Sequence, residues 1–304
     1  MIELEPNLVN LRLILLDRTH NTMQKYGLIG WPVNHSLSPS IHNPAFKETK
    51  LDAHYNLVEC PPEKISSIIE DLKAQSYKGW NCTVPLKADI IPLLDWVDEE
   101  AMACQSVNTV VVQENGELHG YSTDGYGIET AIQEEFGVDL KGKRVLFVGA
   151  GGAARAAAAR IAKSGAVAIT VINRSEANAQ LLLDTASVMN PKCETKYIAS
   201  AELSSYPYIC KEHDIMIQCT SLGLKDGDPS PFPSDLLAPS ILVIDMIYKE
   251  TPFQVAAKKA GCKTAGGLGM LLHQGVKSWE MWTQQEAPVE LMRESLTSEA
   301  YPHD

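Results

Sequence analysis

Gly149-Ala150-Gly151-Gly152-Ala153-Ala154 lies directly after the apolar run Arg144–Val148 and directly before an alanine-rich stretch. Its spacing satisfies G-x-G-x-x-A through Gly149, Gly151 and Ala154. The first glycine allows a tight turn, the second lets a pyrophosphate approach the backbone, and the small third residue lets helix and strand pack closely. Helix N-terminal N–H groups then face phosphate, so this is chemistry for holding a dinucleotide. The next apolar run, Val167–Ile172, ends in Asn173-Arg174-Ser175, where an NAD site would place an acidic residue to accept the ribose 2′-OH. A guanidinium offers a planar fork to a 2′-phosphate, and a carboxylate would repel it. The expected cofactor is therefore NADP.

Three polar clusters precede this motif on stretches that read as loops: His35-Ser36-Leu37-Ser38, Asn81-Cys82-Thr83-Val84-Pro85-Leu86-Lys87 and Ser122-Thr123-Asp124. Taken singly, each suits ordinary turn chemistry, since Ser, Asn and Asp cap turns and helices through local hydrogen bonds.

The elements that must position these residues alternate. Tyr26–Ile29 reads as a strand that enters a loop at Gly30 and Pro32, and His54–Val58 as a second strand. Pro61 and Pro62 open a helix in which Ile65, Ile68, Ile69 and Leu72 fall on one face. A strand ending at Asn81 and a helix after Pro85 continue the alternation, and Val107–Gln113, Asn115-Gly116 and Leu118–Tyr121 spell a hairpin. From Lys143 onward, strands at Arg144–Val148, Val167–Ile172, Asp214–Cys219 and Ile241–Asp245 alternate with helical patterns, which predicts a parallel sheet. From Gly267 the pattern is wholly helical, with Trp279, Met281, Trp282, Leu291 and Met292 as expected core. The fold class is α/β with two domains.

Composition bounds the function. A chain of 304 residues suggests about two domains. With 26 Lys+Arg against 38 Asp+Glu, its net charge of -12 argues against a phosphate-backbone binder, so no nucleic-acid partner is expected. No stretch approaches the roughly 20 apolar residues that span a bilayer, so no membrane partner is expected either. Seven cysteines without a C-x-x-C arrangement read as reduced thiols of a cytoplasmic protein, with no zinc ribbon and no expected metal. Residues 1–22 form an extension of unassigned role. Its apolar patch Leu8–Leu16 follows Glu3 and Glu5, contains Arg12 and lacks a small-residue cleavage site, so it does not read as a signal peptide.

Taken together, the motifs resemble the shikimate dehydrogenase family. The resemblance rests on Gly30–Asn43 with its Ser36-Leu37-Ser38, Asn81–Lys87, Val107-Asn108-Thr109 and Gly120–Gly125. It continues through Gly149–Ala153, Asn173-Arg174-Ser175, Thr220–Gly223 and Gly267–Gln274, in the family's order from about Tyr26 to the end. It implies a substrate domain (23–125) completed by C-terminal helices (265–304), with a Rossmann-type NADP domain (126–264) inserted between them. Carried onto this chain, it implies Lys87 and Asp124 as the catalytic pair and Ser36 and Ser38 on a substrate carboxylate. Thr83, Asn108, Tyr248 and Gln274 would hold the ring and its hydroxyls. Cofactor contacts would fall on Gly149, Gly151, Gly152, Ala153, Asn173, Arg174 and Ser175, with Thr220 and Gly267 near the nicotinamide. The implied activity is reversible NADPH-dependent reduction of 3-dehydroshikimate to shikimate by a monomer or homodimer. The chemistry is coherent: oxidising a secondary alcohol needs a base for the hydroxyl proton, reducing the ketone needs an acid, and a lysine beside an aspartate serves both directions.

Departures from the family's usual text occur at Cys82, Gln105-Ser106, Ser122, Ser175, Asn178, Gln218-Cys219 and Leu224. Asn178 stands where NADP-specific members often carry a second basic residue. Arg174 alone predicts a looser cofactor preference. Two alternatives stay open: a quinate/shikimate dehydrogenase using NAD or NADP, and a non-catalytic NADP-binding regulatory protein. A folate-type dehydrogenase lacks support from the Ser-x-Ser motif.

Overall fold

A computed structural model describes residues 23–302; the extension 1–22 lies outside the described residues. Two six-stranded sheets organise the chain. The first contains β1 (Gln24–Gly30), β2 (Ala53–Glu59), β3 (Tyr77–Cys82), β4 (Trp96–Val97), β5 (Thr109–Val112) and β6 (Leu118–Tyr121), in the order β2-β1-β3-β5-β6-β4. β1 runs parallel to β2 and β3, whereas β3, β5 and β6 are antiparallel. The expected hairpin forms with Val112 opposite Leu118, and Gly116 takes the positive φ of +86° that its turn requires.

Helices α1 (Ser38–Glu48), α2 (Ile65–Ala74) and α3 (Glu99–Cys104) flank this sheet. α2 buries Ile65, Ile69 and Leu72 against Trp80 and Tyr77, the face its spacing predicts. α3 starts at a cap in which Asp98 accepts from the Glu100 and Ala101 N–H groups. The helix expected after Pro85 does not form. Residues 84–90 are consecutive turns followed by a single 3₁₀ turn at Ile91–Leu93, because Pro92 follows too closely for an α-helix to propagate.

The second sheet is all parallel: β7 (Arg144–Val148), β8 (Ala168–Asn173), β9 (Glu194–Ala199), β10 (Ile215–Gln218), β11 (Leu242–Asp245) and β12 (Thr264–Ala265), ordered β12-β11-β10-β7-β8-β9. This is the dinucleotide-binding order, with its switch point between β7 and β10. Helices α4 (Asp124–Phe136), α5 (Gly152–Lys163), α6 (Glu176–Met189) and α7 (Pro252–Lys259) accompany it. Alanine, the best helix former, fills α5, and its small side chains at 154, 156–159 and 162 are buried.

The chain then returns to the first sheet through α8 (Leu268–Thr283) and α9 (Val289–Ala300). Trp279, Trp282, Met292 and Leu296 pack with Tyr26, Phe46 and Tyr55, and Trp282 Nε1 donates to the Val110 carbonyl at 2.9 Å. Met281 and Leu291, expected in the core, are only half-buried because they sit at the margin of their helices' inward faces. The 125/126 boundary read from the sequence cuts the first turn of α4, which packs against both α5 and α8. At this junction Arg160 of α5 reaches buried Glu100 of α3 at 3.5 Å and also pairs with Glu129 of α4.

Candidate active site

The strand ends and helix starts of the first domain converge on one ion pair. Lys87, on the turns after β3, donates from Nζ to Asp124 Oδ2 at 2.6 Å. Asp124 is the first residue of α4, where a carboxylate is favoured by the helix dipole. Asn108 Nδ2 donates to the other oxygen, Oδ1, at 2.9 Å, and Asn108 Oδ1 accepts from the Thr123 N–H at 2.7 Å. Both faces of the carboxylate are therefore held before any ligand arrives. Lys87 remains about one-fifth exposed, so its ammonium faces open space while its partner is buried.

Behind the pair lies a closed polar network. Asn81 in β3 accepts from Tyr55 Oη at 2.7 Å and donates to Asn108 O, Thr109 Oγ1 and Ser278 Oγ, each at 3.0 Å. Burial is tolerable because these groups satisfy one another. Ser278 lies one helical turn after Gln274 on α8, so the C-terminal helix is bonded directly into the site. Ser278 and Tyr55 carry no signal in the sequence, and Thr109 enters there only as part of the Val107-Asn108-Thr109 motif, with no role; a buried Ser or Thr in a regular element has no spacing signal. Asn81 lies in β3, where the sequence ends a strand, and the strand runs one residue further, to Cys82.

A cleft of ≈ 440 Å³ opens above the pair. All eight residues expected for catalysis or substrate line it: Ser36, Ser38, Thr83, Lys87, Asn108, Asp124, Tyr248 and Gln274, joined by Ala153 and Gly267 of the cofactor set. Ser38 opens α1, a helix start where loop was expected, and Ser36 Oγ lies 3.1 Å from Ser38 Oγ. Two adjacent hydroxyls can donate to a carboxylate. Gln274 Oε1 accepts from Asn108 Nδ2 at 3.3 Å, and its Nε2 donates to the Leu271 carbonyl. Met246, Met270 and Leu271 add apolar wall that the sequence reading missed. Cys82 also lines the cleft, and burial pushes its thiol up despite nearby Lys87, which favours the neutral thiol over the thiolate.

The other cofactor candidates, Gly149, Gly151, Gly152, Asn173, Arg174, Ser175 and Thr220, lie outside the cleft lining, on the ends of β7, β8 and β10 and the starts of α5 and α6. Gly149 has φ +104°, and a Cβ there would press on Thr220 Cγ2 at 2.9 Å. Gly151 and Gly152 have nothing within 4 Å of a Cβ, leaving a bare cradle at the N-terminus of α5. Backbone free to approach and N–H groups free to donate fit a pyrophosphate. Arg174 is exposed directly after β8. Ser175 has a structural duty as well, since its Oγ caps α6 by accepting from the Asn178 N–H at 3.4 Å.

Comparisons with known proteins converge. Residues 28–110 match the shikimate dehydrogenase substrate binding domain, residues 130–223 the shikimate / quinate 5-dehydrogenase family, and residues 267–297 the shikimate 5′-dehydrogenase C-terminal domain. A relative from Alkaliphilus metalliredigens named shikimate dehydrogenase (NADP(+)) is 37% identical over 276 residues, covering 90% of this chain and 96% of its own. The crystal structure of shikimate 5-dehydrogenase from Thermus thermophilus in complex with NADP(H) and shikimate is similar at TM-score 0.80 and 30% identity, covering 91% of this chain and 100% of that one. Quinate dehydrogenase from Corynebacterium glutamicum in complex with NAD is similar at TM-score 0.83 and 26% identity, covering 90% and 99%.

Proposed function

The chain belongs to the shikimate dehydrogenase family, and from that premise we propose that Lys87 and Asp124 handle the proton in an NADP-dependent interconversion of 3-dehydroshikimate and shikimate, the step feeding chorismate and aromatic amino acids. The observation that carries this reading is the Lys87–Asp124 pair, fixed by Asn108, on the floor of a cleft that also contains Ser36, Ser38, Ala153 and Gly267.

Ser36 and Ser38 donate to the substrate carboxylate, setting the ring's direction in the cleft. Thr83, Asn108, Tyr248 and Gln274 supply the donors and acceptors that read its hydroxyls. In oxidation the Lys87–Asp124 pair takes the hydroxyl proton; in reduction Lys87 Nζ–H delivers one to the carbonyl oxygen. Bound NADP supplies the hydride chemistry. Gly149, Gly151, Gly152 and Ala153 hold its pyrophosphate, Asn173, Arg174 and Ser175 its adenosine 2′-phosphate end, and Thr220 and Gly267 the nicotinamide side. The first sheet with α8 and α9 forms the substrate half and the second sheet, β7 to β12, the cofactor half; both boundaries read from the sequence, 125/126 and 264/265, fall inside elements, α4 and β12. Among the described residues no helix is long and apolar enough to cross a membrane. All seven cysteines are unpaired, which supports a reducing, cytoplasmic setting; a monomer or homodimer is the proposed assembly.

Initial rates with shikimate and quinate, each with NADP and NAD, test the reading. Turnover of shikimate with NADP as the preferred pair is the expected result. Equal use of quinate or of NAD would move the chain to the broader quinate/shikimate activity, and NADPH binding without turnover to the regulatory alternative.

A further inference from the structure

Asp245 and Gln218 close adjacent parallel strands, paired in register at the ends of β11 and β10, and neither side chain is exposed. Neither lines the cleft. A buried carboxylate is costly unless hydrogen-bonded, and Asp245 is fully engaged. Its Oδ1 accepts from the Ile247 N–H at 2.9 Å and from Gln218 Nε2 at 3.2 Å, and its Oδ2 accepts from Thr251 Oγ1 at 2.7 Å. Gln218 turns the other way: its Oε1 accepts from the Thr220 N–H, and its Nε2 lies 3.3 Å from the Thr220 and Leu222 carbonyls. The two loops so tied meet different halves of the site. Thr220 packs on the Gly149 turn, with its N only 3.0 Å from where a Gly149 Cβ would stand. Met246 and Tyr248 are cleft wall, and the Ile247 carbonyl accepts from the Gly267 N–H at 3.1 Å at the head of the helix carrying Gln274.

We propose that Asp245, acting through Gln218, is a positioning residue that holds the nicotinamide-side loop and the Met246–Tyr248 wall in register, and so sets the distance between cofactor and substrate. The proposal rests on the dehydrogenase reading and deepens it. All three groups around the carboxylate are donors, and Thr251 Oγ1 already accepts from the Gln254 N–H at 3.1 Å. Asp245→Asn therefore preserves shape while leaving one neutral amide oxygen where two carboxylate oxygens served three donors, so that Thr251 Oγ1–H loses its acceptor and the tie between the two loops loosens. Gln218→Met preserves length and removes both polar ends. A misplacement of about 1 Å at reacting atoms costs on the order of 100-fold in rate.

The test is NADPH titration of wild type, Asp245→Asn and Gln218→Met, reading the Kd and the saturating fluorescence anisotropy of the nicotinamide, alongside initial rates with shikimate and NADP. The expected result is a Kd within about threefold, because the glycine cradle and Arg174 are untouched, with lower anisotropy at saturation. With it kcat per folded molecule falls roughly ten- to 100-fold, while KM for shikimate moves less than about threefold. Saturating anisotropy equal to wild type in both variants, or failure of both to fold, overturns the proposal. Should wild type bind NADPH without turning over shikimate, the dehydrogenase reading fails, and the anisotropy comparison alone decides the positioning role. Absence of NADPH binding by wild type overturns both.

Discussion

The cleft around Lys87 and Asp124 and the glycine cradle at the start of α5 are built by opposite means. On the substrate side, the groups facing the ligand are side chains whose partners are already in place: Asp124 is held by Lys87 and Asn108, and Asn108 is braced by Asn81. On the proposed cofactor side the surface is backbone, bared by Gly151 and Gly152, and the cation proposed to meet the 2′-phosphate, Arg174, stands exposed at the end of β8. Preorganised side chains in a buried setting carry large, specific energies, whereas an exposed cation carries a smaller and salt-screened one. Substitutions should therefore be severe in the first region and graded in the second.

The sharpest way to break this contrast is Lys87→Ala. A general acid/base contributes about 10² to 10⁴ in rate, so turnover should nearly vanish while NADPH affinity stays almost unchanged. Asp124→Asn should follow the same pattern, since it keeps the shape and loses the charge facing Lys87. Retention of more than about a third of kcat in Lys87→Ala would remove the pair from the chemistry.

Acid stability comes next. His42 is fully buried on the Tyr55 ring, 4.4 Å between centroids, with neither ring nitrogen bonded, and burial pushes its pKa from 6.5 down to about 3. The fold keeps it neutral, while the unfolded chain takes up a proton below about 6.5. Its share of stability is whole above that pH and declines between about 6.5 and 3, at up to roughly 1.4 kcal/mol per pH unit. His213 in the cofactor domain is also pushed down by burial, but Nδ1–H donates to the Ile209 carbonyl and Nε2 accepts from Thr170 Oγ1. His42→Phe should flatten the acid limb of a Tm-against-pH curve; a limb parallel to wild type would assign the loss elsewhere.

Ser38→Ala removes a hydrogen bond to a charged group, about 1.5–3 kcal/mol. KM for shikimate should rise roughly ten- to 100-fold with little change in kcat, and an unchanged KM would shift the carboxylate site off this loop. Arg174→Ala should weaken the preference for NADP over NAD by about tenfold at low salt, since an exposed guanidinium is partly screened, and Asn178→Arg should strengthen it. Comparing kcat/KM for both cofactors in these proteins settles the reader of the 2′-phosphate. The smallest effect belongs to Ser175→Ala, where loss of the α6 cap should lower stability by about 0.5–1 kcal/mol in urea unfolding.

The same contrast governs how much was legible in the sequence. The dinucleotide half announced itself, because a glycine turn between an apolar strand and an alanine-rich helix has one economical solution and its periodicities are strong. Every residue expected in the cleft lines it, yet that expectation came from motif order; in isolation Lys87, Asn108 or Gln274 resembles any surface polar residue. The network behind them was not readable. Ser278 acquires meaning only when α8 returns across a separation of more than a hundred residues, as in its 2.8 Å bond to Thr109, and Tyr55 only when β2 comes within reach of Asn81 in β3. Asp245 and Gln218 likewise become partners through strand adjacency, which no local pattern encodes. The false helix after Pro85 had the opposite cause: local apolar spacing was present, and Pro92 prevailed.

The return of α8 and α9 to the first sheet has a consequence for the order in which the molecule is made. Trp279, Trp282, Met292 and Leu296 belong to the same core as Tyr26, Phe46 and Tyr55, so this core of the first domain cannot close until α8 and α9 leave the ribosome, while its other core, around Trp80, Leu86 and Val110, draws on residues 29–118 alone. The cofactor half, whose strands all lie within one continuous stretch, is free to fold during elongation. The nascent chain thus acquires its nucleotide cradle before its catalytic cleft, and a chain cut short before Leu268 would lack Gln274 and Ser278 together with half of the core beneath them.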